Sequence, residues 1–499
     1  MKVCLVRPPA FVDSSTYPYN LECVNAAIKF AGHETSFLDA DQMADKIIST
    51  HFNGKLYLEK FLNRIFIHRK VARTGSLIDE LFSEQYNPLW DSVAQRIISL
   101  DTDLVAFSCY SASMSSTEKI INTLREKKRF KKPIILGGIH PSSCPEEVLS
   151  KMKHVNFIVI GEGEATFVEL LNVLSTSGLP ATVKGICYRD NDVIKISPPR
   201  PLISDLDTLP TTSFDFIAEG SYAHYVILTS RGCPFHCNFC ASKVIFEKKV
   251  RFRSADSVVS EIQTLIKKTN LKLLRFGDDT FTVNKAHIQG IADELQKRGI
   301  TDISFSIGSR IDTMDAEKLK ILKSMGVTKI SFGIETGSKR MMESINKNIN
   351  TDDVVNTIKM VNDAGINTTA FFIINHPGEK TDDMSDTLKL VKDLNKHCPR
   401  NECDINTGFP YPKTQWWDYA KKHSLLDQID FYRHSHRYNH QHTPLINMTD
   451  ESTETLMEYW NKIHSKVKRH NMLVRGGKFA KIMLSDPERA IKKLFNLFH

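Results

Sequence analysis

The chain has no apolar run approaching the roughly twenty residues that a membrane span needs, and no stretch of it reads as a spanning helix. Its first residues, MKVCLVRPPA, lack the plan of a secretory signal, because the apolar stretch 3–6 is too short and Arg7-Pro8-Pro9 follows at once. Cysteine is sparse, with ten in 499 residues. Three of the ten share one short motif, so the set reads as reduced thiols in a cytoplasmic protein rather than as a disulfide framework. Internal repeats and low-complexity segments are missing. No Gly-x-Gly-x-x-Gly opens the first helix, which argues against a dinucleotide-binding fold. No general acid–base pair or nucleophile stands out.

The rest of the composition is ordinary, with 41% hydrophobic and 25% charged residues. The length suggests about three domains. The formal charge of +8 is uneven: from residue 462 onward ten Lys and Arg stand against two acidic residues, which accounts for the whole excess. A basic tail suits an anionic membrane, acidic substrates or nucleic acid, and a solvated helical surface explains it equally well.

What the chain does carry is the run Arg231-Gly232-Cys233-Pro234-Phe235-His236-Cys237-Asn238-Phe239-Cys240. Three residues separate the first cysteine pair and two the second, so one short loop brings three thiolates to one place. A zinc site normally closes with four protein ligands, and no fourth Cys or His lies at a natural spacing. A cubic iron–sulfur cluster is usually held by thiolates at all four irons. Three thiolates would leave one iron open to a substrate or cosubstrate, and such an iron is easily oxidised, which favours surroundings poor in oxygen. The plain alternative is three unconnected core cysteines.

The first 180 or so residues alternate short apolar runs with amphipathic stretches, the pattern of a parallel sheet flanked by helices. Strands are expected at 2–7, 34–39, 104–109, 133–136 and 156–160, helices at 21–31, 115–127 and 164–174, and a mostly helical insertion at about 42–100. A hairpin is expected over 185–196, turning at Asp190-Asn191-Asp192, before a proline-rich linker at 198–210. A second alternating region follows, with strands at 225–230, 271–276, 303–307, 329–334, 369–374 and 402–407, and helices such as 255–268 and 316–325. Repeated units of this size suggest a barrel or part-barrel with its chemistry at the strand carboxyl ends. In the last 75 or so residues, His434, His436, His440 and His442 read as a solvated loop and 486–498 as a basic amphipathic helix.

Cys-x-x-x-Cys-x-x-Cys, with the aromatic Phe239 just before the last cysteine, resembles the radical S-adenosylmethionine (SAM) enzymes. The N-terminal half is similar to cobalamin-binding domains through Arg7-Pro8-Pro9, Ala31-Gly32-His33-Glu34, Asp103-Leu104-Val105-Ala106-Phe107-Ser108, Leu136-Gly137-Gly138-Ile139-His140-Pro141 and Ile160-Gly161-Glu162-Gly163-Glu164. Together these resemble the cobalamin-dependent radical SAM family over roughly residues 1–420. The implied fold class is α/β. A flavodoxin-like (Rossmann-type) cobalamin-binding domain over 1–180 precedes a hairpin and linker at 181–224. A partial (β/α)6 TIM-like radical SAM barrel over 225–420 then leads to a small, mostly helical, basic region at 421–499.

The resemblance further implies a [4Fe–4S] cluster on Cys233, Cys237 and Cys240. SAM contacts would come from Phe239 at adenine, Asp278 and Asp279 at the amino group, Arg310 at the carboxylate and Glu335 at the ribose. Cobalamin contacts would come from Pro8, Pro9, Ser108, Gly137, Gly138, His140, Gly161, Glu162, Gly163 and Glu164. Taken singly, a lone Glu or Arg is as readily a salt-bridge residue, and a sheet that only supports the barrel is the alternative to a cobalamin site. The chain departs from the family in three places. Where many cobalamin proteins have Asp-x-His-x-x-Gly after the first strand, it has Arg7-Pro8-Pro9-Ala10, and Ser49, His51 and Gly54 match only half of that motif, so the cobalt should lack a histidine lower ligand. Asn375-His376-Pro377-Gly378-Glu379-Lys380 stands for Gly-x-Pro-Gly-Glu-Thr, and Pro410-Tyr411-Pro412-Lys413-Thr414 for Pro-x-Pro-Gly-Thr.

The implied reaction is radical methylation of an unactivated carbon in a small molecule, lipid or natural product, with an electron donor such as flavodoxin or ferredoxin. Nucleic acid is not expected as a partner. Ring closure or rearrangement, as in anaerobic porphyrin-ring cyclases, is the alternative within the family. A non-catalytic cobalamin-binding or regulatory protein is the alternative outside it. The C-terminal helix is expected to pack on the barrel or to touch an anionic membrane.

Overall fold

Strand β1 (Lys2–Arg7) sends Val3 and Leu5 to one face and Cys4 and Val6 to the other, all almost fully buried. Burial on both faces is what a strand covered by helices on both sides requires. In this computed structural model, which describes residues 1–10, 14–51, 88–190, 193–428 and 444–485, β1 is joined by β2 (Glu34–Asp39), β3 (Leu104–Ser108), β4 (Ile134–Gly137) and β5 (Phe157–Val159). These five run parallel in the order β2-β1-β3-β4-β5, and the antiparallel pair β6 (Ile186–Asp190) and β7 (Val193–Ile196) completes one edge. The order reverses between β1 and β3, the place where open doubly wound sheets bind ligands.

The second sheet opens with β8 (Tyr225–Ile227). The chain then leaves the sheet earlier than the expected strand 225–230, because Thr229 and Ser230 turn their hydroxyls to Asp278 (2.8 and 2.5 Å). Ser230–Arg231 (β9) pairs instead with Arg251–Phe252 (β10) in a separate ribbon. Five further parallel strands follow in chain order: β11 (Leu273–Phe276), β12 (Ser304–Ser309), β13 (Val327–Glu335), β14 (Asn367–Ile374) and β15 (Asn401–Thr407). The result is a six-stranded part-barrel with helices between its strands. Helix Ala255–Lys268 shows how they form: Ser254 caps it by accepting from Ser257 N, and Val258, Val259, Ile262 and Leu265 give it one buried stripe.

One apolar cluster runs from Leu5, Ile135 and Val159 of the first sheet into Ile227, Phe276, Phe305, Phe332 and Phe372 of the second, while the far face of the first sheet has its own core around Val6, Phe107 and Leu136. A 33-residue helix, Thr453–Ser485, which sequence periodicity did not delimit, lies against helix Thr381–His397 and β15 through Leu456, Trp460, Ile463 and Val467. No helix among the described residues is long and apolar enough to cross a membrane. The middle of the helical insertion, the turn residues 191–192, the four histidines and the segment 486–498 lie outside the described residues.

Candidate functional site

Gly232 sets the entry to the cysteine loop. Its φ is +93°, and a Cβ there would fall 2.2 Å from the Lys249 carbonyl oxygen, so only glycine admits this turn. Cys240 N donates to Cys237 O at 3.3 Å. Between them Asn238 is buried, donating from N to Ile345 O (3.1 Å) and from Nδ2 to Ser344 O (2.6 Å), and accepting at its carbonyl from Gln415 N (3.0 Å). These bonds hold the loop in place while its three half-buried thiols stay free of disulfides. No three His, Cys, Asp or Glu side chains among the described residues converge on one ion.

Two cations flank the loop. The Arg310 guanidinium lies 3.8 Å from the Phe235 ring centroid, and its Nη1 is 3.4 Å from Cys237 Sγ. The same group grips Asp312 through Nε and Nη2 (2.9 and 2.7 Å) and reaches Lys347 O at 2.8 Å. Lys347, buried, pairs with the buried Glu335 at 2.5 Å. A Cβ on Gly333 would sit 2.5 Å from Glu335 Oε1 and 2.8 Å from Lys347 Nζ, so the missing side chain makes room for this pair. Glu335 itself takes φ +75°, a left-handed backbone at a strand end, the kind of local strain that concentrates at functional sites. Burial pushes the Cys237 thiol up, while Lys347 and Arg310 favour its thiolate. Lys347 escaped the sequence reading. Its only signal is the turn Asn346-Lys347-Asn348, whose asparagines both adopt φ +53°.

The remaining residues expected around SAM divide in two. Asp279 faces Ser242 Oγ at 2.5 Å beside the loop, and Thr280 Oγ1 is 3.6 Å from Cys233 Sγ. Asp278 instead is buried behind the loop, accepting from Thr229 N (3.2 Å), Thr229 Oγ1 and Ser230 Oγ. Phe239 packs beside Trp416, 5.4 Å between ring centroids, in a small cluster with Ile345, Ile446 and Met448. Asp279, Arg310 and Glu335 thus gather at the cysteines, whereas Asp278 supports the turn and Phe239 is engaged with Trp416.

Two adjoining cavities open along the carboxyl ends of the first sheet. The smaller, about 190 Å³, lies between Gly137, Gly138 and Gly161–Glu164 on one side and Leu228, Arg231, Ile245 and Phe246 on the other. The larger, about 500 Å³, lies between Pro8, Ser108, Tyr110 and His140 and the residues Ala241, Tyr411 and Pro412. Ser108 borders both. Gly138, at φ +99°, could not carry a side chain, since a Cβ would be 2.5 Å from Cys109 O. At Gly161, φ +80°, a Cβ would meet nothing within 4 Å, so the chain leaves open space there.

Four expected cobalamin contacts also have partners within the protein. Pro9 is buried and its carbonyl accepts from Ser116 Oγ. Glu162 and Glu164 border the smaller cavity, yet both hold Arg231 (2.8 and 2.5 Å). His140 forms a wall of the larger cavity with Nδ1 3.1 Å from Ser111 Oγ and Nε2 3.5 Å from Cys144 Sγ. Burial lowers its pKa to about 3, so the ring is neutral.

Residues 227–391 match the model of the radical SAM superfamily, and residues 75–171 that of the B12 binding domain. A Pyrococcus horikoshii protein named as an uncharacterized methyltransferase is 31% identical over 345 residues, covering 68% of this chain and 73% of that protein. The chain belongs to the cobalamin-dependent radical SAM family. The anaerobic magnesium-protoporphyrin IX monomethyl ester cyclase of Cereibacter sphaeroides is 27% identical over 369 residues, which cover 70% of this chain and 57% of the cyclase. In fold, the chain is similar to the radical SAM methyltransferase TsrM of Kitasatospora setae with cobalamin and a [4Fe–4S] cluster bound, at TM-score 0.64 and 16% identity, covering 85% of this chain and 75% of that one.

Membership in this family brings three cofactors: a [4Fe–4S] cluster, SAM and cobalamin. The residues fit them. Three free thiols on one anchored loop suit a cluster with one open iron, and the glycine cradle at Gly137, Gly138 and Gly161 suits close approach of a large flat ligand.

Proposed function

We propose that this enzyme transfers a methyl group to an unactivated carbon of a small-molecule or lipid substrate, at the junction of its two sheets. One observation carries the reading: the segment that follows Cys240, through Ala241, Ile245 and Phe246, forms the wall facing the glycine loops and Tyr110 across the two cavities. Cluster and SAM supply a substrate radical and cobalamin supplies the methyl group, while the protein positions them and excludes water. Cys233, Cys237 and Cys240 would hold the cluster. Arg310 and Asp279 flank the place where the charged methionine end of SAM would meet it, and Glu335 is held by Lys347 at the neighbouring strand end. On the cobalamin side both ring nitrogens of His140 face other partners. A cytoplasmic setting and a protein reductant belong to the same reading.

Ring closure is the second reading, favoured by the likeness to the Cereibacter cyclase. The test uses protein purified without oxygen, reconstituted with iron, sulfide and hydroxocobalamin, and given methyl-deuterated SAM and dithionite. Methyl transfer predicts 5′-deoxyadenosine and labelled methylcobalamin, with deoxyadenosine lost in Cys237→Ala. Deoxyadenosine alone would favour the cyclase reading. Neither product would sink both and leave a cobalamin-binding protein.

A further inference from the structure

The short helix Ser242–Phe246 has two differently occupied sides. Ile245 and Phe246 border the inner cavity between the sheets. Lys243 instead borders a separate cleft of about 280 Å³, together with His236, Lys248, Asn346 and Gln415. This cleft lies against the back of the cysteine loop. Asn346 Nδ2 donates to His236 O (3.1 Å), Gln415 N donates to Asn238 O (3.0 Å), and His236 and Asn238 are the immediate chain neighbours of Cys237. The loop therefore has an inner side toward the cavities and an outer side toward the cleft.

The outer side is cationic. None of its five lining residues is acidic, and two are lysines. Glu247, the carboxylate next along the chain, is placed beside Lys249 (3.8 Å), a further exposed lysine at the margin. His236 and Lys248 are exposed. The inner cavity is the place for cofactor and substrate, so an electron arriving from that side would have to cross both. From the cleft it arrives one residue from a ligand thiolate.

We infer that this cleft is the docking surface for a flavodoxin, an acidic one-electron carrier protein. The inference rests on the cluster reading above and specifies its partner. In the electron-transfer step an anionic flavin hydroquinone gives up one electron to become the neutral semiquinone, and the oxidised cluster would gain that electron. No bond within this protein forms or breaks. Opposite charges would steer the encounter and make it sensitive to salt.

The test compares Lys243→Glu/Lys248→Glu with a charge-matched control on a remote helix, Lys320→Glu/Lys323→Glu, both in the full-length protein. Flavodoxin binding is measured by calorimetry at low and high salt, with no turnover required. Deoxyadenosine formation is then followed with dithionite and with reduced flavodoxin. The expected result is binding and flavodoxin-driven turnover lowered roughly tenfold or more in the cleft variant only, most strongly at low salt, with dithionite-driven turnover unchanged. Equal flavodoxin binding by the two variants overturns the inference. So does a short DNA duplex that binds the cleft at least as tightly as flavodoxin, since that marks an indiscriminate polyanion site. Loss of dithionite-driven deoxyadenosine in every form, the parent included, would instead remove the cluster reading, and the binding comparison would still decide the surface.

Discussion

Arg231, two residues before the first motif cysteine, places Nη1 2.8 Å from Glu162 Oε1 in the glycine loop of the first sheet. Its Nη2 meets Glu164 at 2.5 Å, and Arg251 Nη1 adds a second contact to Glu162 at 2.8 Å. All four side chains are nearly inaccessible to solvent. Burial alone would raise the Glu162 carboxyl, but hydrogen bonds from Arg251 and Arg231 outweigh it and hold the group below the usual range. The cysteine loop and the glycine loop of the first sheet are thus fixed to each other.

Glu162→Gln should therefore destabilise the protein by about 1–3 kcal/mol, because Arg231 and Arg251 keep their charge in a buried setting with one fewer anion. The denaturant midpoint measures this. A double-mutant cycle with Arg231→Gln should show coupling; additive effects would mean that the pair does not act as a clamp.

Gly232→Ala should damage the site more than the fold. The new Cβ would overlap the Lys249 carbonyl at a φ that alanine disfavours. Iron and sulfide per chain after reconstitution should fall well below the parent's while the far-ultraviolet circular dichroism stays the same. Full loading would show that the loop relaxes without consequence.

Glu379 gives stability a pH dependence. It is buried, with Oε2 accepting from Asn375 N (2.7 Å) and His376 N (3.0 Å), and burial raises its pKa from 4.5 to about 8. Between those values the folded chain keeps a proton that the unfolded chain releases, so this contribution is full below pH 4.5 and is lost as the pH rises through about 8. Glu379→Gln keeps an acceptor for both N–H groups and removes the titration. Urea midpoints at about pH 5 and about pH 9 should fall less with pH in the variant than in the parent; parallel curves would refute the assignment.

Two of the departures from the family pattern should respond oppositely to glycine. Lys413 has φ +62° and an exposed side chain, so Lys413→Gly relieves an unfavourable backbone and should stabilise by up to about 1 kcal/mol. Asn375 has φ +74°, but its amide donates to Gly408 O (3.0 Å) and Ile446 O (2.9 Å) and accepts from Met448 N (2.8 Å). Asn375→Gly strips all three bonds and should destabilise by about 1–3 kcal/mol. Thermal unfolding of both variants checks the signs.

Much of this was legible in the chain because it is local. Short apolar runs between amphipathic stretches marked Lys2–Arg7 and Glu34–Asp39 at their observed bounds, since a strand covered by helices is written locally as such a run. The cysteine spacing marked the candidate cluster loop, because three thiols on one turn need no distant partner. Other features depend on residues far apart in the chain. Asp278 and Asp279 are adjacent, yet one turns toward Thr229 and Ser230 and the other toward Ser242, a choice set by strand packing and not by residue type.

By itself the sequence determined the succession of strands and helices, the two-sheet plan and the thiolate motif, because periodicity and short spacings act within a few residues. Only the tertiary structure decided that Lys347 pairs with Glu335 under Gly333, that Glu162 and Glu164 grip Arg231, and that the cysteine loop has one side toward the cavities and one toward a cationic cleft. Those relationships join groups distant in the chain, Arg231 and Glu162 being 69 residues apart. Charge pairing in a buried setting depends on which groups the packed sheets bring within about 4 Å of each other, and one-dimensional spacing carries no record of that.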